Sequence, residues 1–233
     1  MELLIEGIEK SFDSKRVLKG ITFSFKKGNI YALLGRNGAG KTTLFNCLAG
    51  EVKPEEGGAF LVDGTSKKRL TTDDIGYVFS TAILPEFMTG YEFIRFFMDV
   101  NEKKIKQEYT IGDYFDMVKL EEEDRHRLIK GYSQGMRNKI QMMLFIILRP
   151  PVILLDEPLT SLDVVVALEM KHLLREIRSE HIIIFSTHIL QLATDLCDEV
   201  VVLSDGILEQ LDHSMLRDPQ FEQKLVQILS EED

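Results

Sequence analysis

The chain has 233 residues, with 28 basic and 38 acidic side chains and a formal net charge of −10. This length is enough for one large domain, and the acidic balance argues against DNA or RNA as a partner held by phosphate neutralisation. From residues 1–6 we expect no export signal. The longest apolar stretch, 140–155, is broken by Arg149, Pro150 and Pro151, so we also expect no membrane span.

The first third of the chain is predicted to be β structure. Apolar and polar residues alternate over 21–25, which is the period of a half-buried strand. The apolar runs 29–34, 59–62 and 75–79 have the length and the flanking turns of further strands.

Residues 35–42 read Gly-Arg-Asn-Gly-Ala-Gly-Lys-Thr and match the phosphate-binding loop G-x-x-x-x-G-K-[ST]. A buried strand precedes the match and a helix is predicted after it, which is the expected context. Glycines let the backbone N–H groups face phosphate oxygens, Lys41 adds a positive charge, and the Thr42 hydroxyl suits Mg²⁺. The residues predicted to bind the nucleotide in this loop are Gly35, Asn37, Gly38, Ala39, Gly40, Lys41, Thr42 and Thr43.

The middle third is predicted to be a helical lobe. Residues 91–100 and 111–120 carry apolar side chains at helical spacing, and a further helical face follows Ser133. Ser133 is a good N-cap, and Gly135 would allow another backbone to come close. The segment 132–136 is therefore either an ordinary capped helix or a second anion site.

Strands and helices alternate in the last third. Apolar strands are predicted at 152–155, 182–185 and 199–203, with a helix capped by Asp163 and another over 189–196. This alternation predicts a mostly parallel sheet covered by helices.

Two carboxylates, Asp156 and Glu157, follow the predicted strand 152–155. Beside a phosphate loop, Asp156 would hold Mg²⁺ through water, and Glu157 would polarise a water that attacks the γ-phosphate. The alternative is an acidic strand exit with no catalytic role. His188 follows the next strand, where it could polarise a phosphate or be an ordinary surface or core residue.

These motifs together resemble the nucleotide-binding subunit of ATP-binding cassette (ABC) transporters over nearly the whole chain. Residues 35–43 look like its Walker A motif, 153–158 like Walker B, 159–163 like the D-loop, and 132–136 are similar to its signature Leu-Ser-Gly-Gly-Gln. The chain departs from the family at residue 80, where Ser80 stands in place of the Q-loop glutamine, and at two signature positions.

The resemblance implies a single ABC ATPase domain over 1–233 with an α/β fold. The phosphate-loop core and an antiparallel β subdomain would comprise 1–84 and 149–233, and 85–148 would form an inserted helical lobe. It implies that Phe12 stacks on adenine, with a strand-end core position as the equal alternative, and that His188 is the switch histidine. It further implies that Ser133, Gly135 and Asp163 complete the ATP site of a second cassette, and that Ser80 contacts Mg²⁺ through water.

The function implied is ATP hydrolysis that powers a membrane transporter through head-to-tail pairing with a second copy or a homologous cassette. The partners would be transmembrane permease subunits, docked in the groove between the lobes near residues 80–91, and the chain would lie on the inner face of the cell membrane. Methionine at the fifth signature position favours an exporter.

The alternatives are a non-transport ABC module that acts on a soluble macromolecular complex, and a phosphate-loop GTPase or kinase. The first would usually carry two cassettes or a long coiled-coil insertion. The second is disfavoured because 138–141 lack the aspartate of a guanine-binding Asn-Lys-x-Asp motif.

Overall fold

The computed structural model describes residues 1–79, 83–105, 108–159 and 162–211. These residues divide into two compact units. The first comprises Met1–Tyr77, Pro151–Asp156 and the described residues from Arg178 onward, and the second comprises Val78–Pro150 and Glu157–Ile177.

The first unit contains a four-stranded antiparallel sheet in the order β2-β1-β4-β5. Its strands are β1 (Glu2–Phe12), β2 (Lys15–Lys26), β4 (Glu56–Asp63) and β5 (Ser66–Arg69). Over the predicted stretch 21–25 of β2, Ile21 and Phe25 are buried and Thr22 is exposed, as expected for a strand with one covered face. Over the whole of β1 and β2 the buried residues do not alternate strictly, and register shifts interrupt the pairing of the two strands.

A second, mostly parallel sheet has the order β10-β9-β3-β8-β7-β6. Strands β3 (Ile30–Leu34), β7 (Val152–Asp156), β8 (Ile182–Thr187) and β9 (Glu199–Ser204) form its parallel centre, while β6 (Ile75–Val78) and β10 (Ile207–Gln210) lie at the edges. The first three of these central strands are buried along their whole length, which explains their continuous apolar runs. Helices α1 (Lys41–Ala49) and α7 (Leu190–Leu196) belong to the same unit.

One apolar core joins both sheets and α1. Its fully buried side chains include Phe25 of the antiparallel sheet, Phe45 of α1 and Leu154 of the parallel sheet. The two sheets are therefore parts of one packed unit, and the loop between β3 and α1 starts from rigid neighbours.

The second unit is helical in the residues that the structure describes. It contains α2 (Gly90–Val100), α3 (Ile111–Met117), α4 (Glu122–Arg125), α5 (Gln134–Leu148) and α6 (Val164–Ile177). Side-chain oxygens cap four of these helices: Thr89 for α2, Thr110 for α3, Ser133 for α5 and Asp163 for α6. The predicted caps at Ser133 and Asp163 are confirmed.

The helix predicted over 111–120 is wrong at its C-terminal end. Helix α3 stops at Met117, and Lys119 has a left-handed φ of 52°. The amides of Lys119 and Leu120 then donate to the carbonyls of Asp116 and Phe115, which closes the helix end. Leu120 is buried in the turn that follows the helix. Its apolar side chain fits the helical spacing, and this extended the prediction beyond the true end of α3.

Candidate functional site

The phosphate loop connects β3 to α1 and depends on glycine at two positions. A Cβ atom on Gly35 would lie 2.7 Å from the carbonyl oxygen of Leu203, and one on Gly40 would lie 2.8 Å from Val17 Cγ1. Gly40 also has a φ of 108°, which residues with a side chain rarely adopt. It precedes α1 and provides no side-chain cap, and a helix N-terminus after a glycine-rich loop is a suitable place for an anion.

Lys41 is held inside this loop. Its side chain is buried, with 6% of the residue exposed, and Nζ donates to the carbonyl oxygens of Gly35 at 2.7 Å and Arg36 at 3.1 Å. A buried ammonium needs such partners. The contacts fix the cation against the backbone that, in a nucleotide-binding loop, surrounds the phosphates.

Asp156 joins the loop to the ends of two neighbouring strands. The Thr42 hydroxyl donates to Asp156 Oδ2 at 2.8 Å, and the Ser186 hydroxyl donates to Oδ1 at 2.5 Å. Asp156 and Ser186 are paired across β7 and β8, and both are buried. Sequence reasoning missed Ser186, although its place one residue after the predicted strand 182–185 was a usable signal.

Tyr77 stands near the same carboxylate. Its hydroxyl donates to Asn46 Oδ1 at 3.1 Å. Burial, with the negative charges of Asp156 and Glu51 as smaller causes, raises the pKa of Tyr77. The phenol therefore stays protonated and serves as a hydrogen-bond donor at neutral pH.

Glu157 begins the second unit directly after Asp156. It has a φ of 53° in the left-handed region and is half-buried. For a non-glycine residue this conformation costs roughly 1–3 kcal/mol and occurs often at functional sites. Glu157 therefore departs from the extended backbone of β7.

The residues predicted for the signature and the D-loop, Ser133, Gly135 and Asp163, lie in the second unit. The Ser133 Oγ accepts from the Met136 amide at 3.2 Å, and Asp163 Oδ1 accepts from the Val166 amide at 3.0 Å. A Cβ on Gly135 would lie 3.1 Å from Val166 Cγ1. Within the chain the close neighbour of Gly135 is thus a side chain, whereas the sequence suggested room for a backbone.

Phe12 ends β1 and is 46% exposed, which contradicts the alternative of a core residue. Lys10 Nζ lies 5.3 Å from its ring centroid. A cleft in the same unit opens beside the phosphate loop, and sequence reasoning missed the residues that line it from β2 and the β9–β10 turn. The cleft is lined by Lys15, Arg16, Val17, Gly38, Ala39, Ser204, Asp205, Gly206, Ile207 and Glu209.

Of the other predicted site residues, Asn37 and Thr42 are exposed and Ala39 and Thr43 half-buried. His188 is exposed just after β8. Ser80 lies outside the described residues.

A family model described as ABC transporter matches residues 18–160. The chain belongs to the ABC transporter family. Its relatives include the uncharacterized ABC transporter ATP-binding protein YxlF of Bacillus subtilis (strain 168), at 34% identity over 88% of this chain and 68% of that protein. They also include the sulfate/thiosulfate import ATP-binding protein CysA 1 of Agrobacterium fabrum, at 33% identity over 91% of this chain and 63% of that protein.

Solved ABC structures share the fold. A structure described as the ATP-binding subunit of an ABC transporter superposes with a TM-score of 0.80 at 24% identity, covering 98% of this chain and 99% of that one. The dimeric post-hydrolysis structure of the ATP-binding cassette MJ0796, bound to ADP and Pi, gives a TM-score of 0.73 at 22% identity, covering 90% and 99%. The family match confirms the predicted family and its class of enzyme, the ABC ATPases, and the solved structures confirm the predicted fold class.

Proposed function

We propose that this chain binds and hydrolyses ATP and that this hydrolysis powers a membrane transporter. The observation that carries the proposal is the pair of hydrogen bonds from Thr42 and Ser186 to Asp156. They hold a carboxylate against the end of a phosphate-binding loop whose lysine is already fixed. The chain spans 59–68% of the length of the first relatives it matches, so substrate and partners are proposed from this chain's own residues.

The residues at this point fit a nucleotide and Mg²⁺. Loop amides and Lys41 supply positive charge for the phosphates, and the Thr42 hydroxyl and the Asp156 carboxylate are hard oxygen donors of the kind that Mg²⁺ prefers. Within the residues that the structure describes, no cluster of three or more His, Cys, Asp or Glu side chains could hold a metal. Mg²⁺ is usually bound by one or two protein groups together with substrate phosphates, and Thr42 and Asp156 would be those groups. When bound, Mg²⁺ would neutralise charge on the β- and γ-phosphates.

Glu157 is proposed as the general base. It would accept a proton from a water whose oxygen attacks the γ-phosphorus, while the bond to the ADP oxygen breaks. His188, which is exposed just after β8, would donate to the transferring phosphoryl group and stabilise its charge. Phe12, with almost half of its surface exposed, is proposed to stack on the adenine ring.

The second half of each ATP site is proposed to come from another chain. Ser133 is an exposed N-cap at the start of a 15-residue helix, a position suited to bind a phosphate. A Cβ on Gly135 would lie 3.1 Å from Val166 Cγ1, and Asp163 accepts from the Val166 amide, so Gly135 and Asp163 are both neighbours of Val166. Two copies, or this chain and a homologous cassette, would pair head to tail and close both sites.

Permease subunits are the proposed transport partner. None of the helices that the structure describes is both long and apolar enough to cross a membrane. In the segment 83–89, Ile83 is 77% exposed and Phe87 is 82% exposed, and large apolar side chains on a surface favour a protein partner. These two residues support docking within the predicted region 80–91, and the chain would then lie on the inner face of the cell membrane.

The expected direction of transport needs correction. Among the relatives whose names state a direction, the CysA proteins are importers. This counts against the exporter that was inferred from the methionine of the signature, and it favours import. Direction depends on the permease that the cassette drives, so one residue of the ATPase is a poor guide to it.

Ser80 stays a proposed Mg²⁺ contact through water. A bridging water replaces a direct ligand at small cost, so Ser80→Ala should reduce hydrolysis only modestly and Ser80→Gln should be tolerated. If Mg²⁺ titrations of the ATPase rate superimpose for wild type and both variants, Ser80 has no role in the Mg²⁺ site.

The proposal is tested by affinity purification of the tagged chain from detergent-solubilised native membranes, followed by ATPase assay with and without the co-purified protein. We expect an integral membrane protein that changes the ATPase rate, and weaker recovery of it with Phe87→Ser. Phe96→Ser is the matched control, because Phe96 is also an exposed aromatic of the same unit, at 56%. The transport role would be contradicted if the chain hydrolyses ATP but no membrane protein co-purifies with it, or if the co-purified protein leaves the ATPase rate unchanged.

A further inference from the structure

The start of helix α5 is tied to the exposed segment 83–89 by a single side chain. Arg137 Nη2 donates to Glu86 Oε1 at 3.1 Å, across 51 positions of sequence. The Arg137 side chain is 17% exposed and that of Glu86 is 56% exposed. The pair thus runs from the surface inward.

The same arginine binds the backbone of Ser133 and of two residues that precede it. Its Nε donates to the Tyr132 carbonyl and its Nη2 to the Lys130 carbonyl, each at 3.4 Å. Its own amide donates to the Ser133 carbonyl at 3.0 Å. Arg137 therefore fixes the turn in which Ser133 stands as well as reaching Glu86.

Backbone hydrogen bonds strengthen the link. The Ile129 amide donates to the Met88 carbonyl at 2.9 Å, and the Lys130 amide donates to the Glu86 carbonyl at 3.2 Å. Segments 86–89 and 128–130 are thereby paired, and Arg137 extends the pairing to the first turn of α5. A guanidinium with several donors in one plane suits such a bracing role better than a lysine would.

Tyr132, just before Ser133, is held from the opposite side. Its hydroxyl donates to the Asp124 carbonyl at 2.6 Å, and a Cβ on Gly90 would lie only 2.3 Å from that hydroxyl. The first residue of α2 thus packs directly against the residue that precedes Ser133. Displacement of segment 83–90 would be transmitted to the Ser133 turn by packing and hydrogen bonds together.

We propose that Arg137 is a positioning residue, which with Glu86 makes segment 83–89 and the Ser133 turn move together. A permease subunit bound at Ile83 and Phe87 would then set the position of Ser133, the residue proposed to close the ATP site of the second chain. This inference rests on the proposed function. It adds a specific route by which a partner on this segment would regulate turnover.

The chain offers a matched control at the other end of the same helix. Arg149, the residue after α5, has an Nη2 that donates to Glu108 Oε2 at 2.8 Å. The exposure of the Glu108 side chain, 48%, is close to the 56% of Glu86. Glu86→Ala and Glu108→Ala therefore each remove one partly exposed ion pair at an end of α5, and the Glu86 pair is the one beside the Ser133 turn.

The test compares wild type, Glu86→Ala, Glu86→Gln and Glu108→Ala, each with all 233 residues, by amide hydrogen exchange and by steady-state ATP hydrolysis. Glu86→Ala should speed exchange of the Met136 and Arg137 amides about fivefold and lower kcat about fivefold with an unchanged KM for ATP. Glu86→Gln keeps an acceptor oxygen, so its exchange rate and its kcat should lie between those of wild type and Glu86→Ala. Glu108→Ala should match wild type in both measurements.

Unchanged exchange in Glu86→Ala would overturn the link, and faster exchange with an unchanged kcat would overturn its role in turnover. If Glu86→Ala and Glu108→Ala speed amide exchange and lower kcat equally, both ion pairs contribute only to general stability, and the proposal is also overturned. A wild-type chain without ATPase activity would defeat the proposed function and the role in turnover with it, while the exchange data would still decide whether the link exists.

Discussion

The Thr42 hydroxyl donates to the Asp156 carboxylate at 2.8 Å and so connects the first turn of α1 to the end of β7. The two residues are 114 positions apart in the chain. Because β3 and β7 both pair with β8 in parallel, their carboxyl ends lie at one edge of the sheet, where α/β proteins bind ligands.

Asp156→Asn should lower ATP hydrolysis by on the order of 100-fold and shift the Mg²⁺ concentration for half-maximal rate upward, because it removes a charged oxygen ligand. Ser186→Ala is the control: it removes one hydrogen bond to the same carboxylate and should cost only about five- to tenfold. Mg²⁺ titrations of the steady-state rate measure both. Equal effects of the two substitutions would mean that the carboxylate serves structure alone.

Lys41→Ala and Ser133→Arg should each abolish hydrolysis alone yet restore part of it when mixed. In a head-to-tail pair of the two variants, one of the two sites keeps both an intact phosphate loop and an intact signature. Random pairing of equal amounts then gives at most about a quarter of the wild-type rate if the sites are independent. Activity of the mixture no greater than that of the separate variants would argue that each chain completes its own site.

Asp74→Asn should destabilise the first unit at neutral pH but not in acid. Burial alone would raise the pKa of Asp74, but hydrogen bonds from Lys68 and from the Thr71 hydroxyl and amide, with the charge of Lys68, outweigh it and lower the pKa below its ordinary 3.8. A carboxyl with a lowered folded pKa contributes stability above its unfolded pKa and loses it as the pH falls through the folded one.

We therefore expect Asp74→Asn to reduce the free energy of unfolding by roughly 1–2 kcal/mol at pH 7, with the difference shrinking below about pH 4. Urea unfolding at several pH values measures this, with Asp73→Asn as a control for the same charge change at the exposed neighbour. A difference that stays constant from pH 7 to pH 3 would contradict the ionic contribution of Asp74.

The sequence was sufficient for the parts of the molecule that have local patterns. The phosphate loop, the buried strands and the caps at Ser133 and Asp163 depend on a few adjacent residues, and each was predicted at its place. The predicted end of α3 was wrong because Leu120 is buried by tertiary packing in the turn after the helix, which closes at Lys119.

The relationships between distant residues could not be derived in the same way. Ser186 reaches Asp156 because β7 and β8 are neighbours in register. The order of strands in a sheet cannot be predicted from local patterns in one sequence. The Glu86–Arg137 pair depends on how a turn and a helix start fold together. The left-handed φ of Glu157 is a strained conformation that its surroundings impose and that no residue preference predicts.

The central claim is that this chain hydrolyses ATP with Glu157 as the base. The most direct measurement is steady-state ATP hydrolysis by Glu157→Gln beside wild type, with ATP affinity measured on the same preparations. We predict that turnover falls by at least about 100-fold, that ATP affinity stays within about twofold, and that an ATP-bound dimer accumulates. Hydrolysis by Glu157→Gln at a rate near that of wild type would contradict the claim.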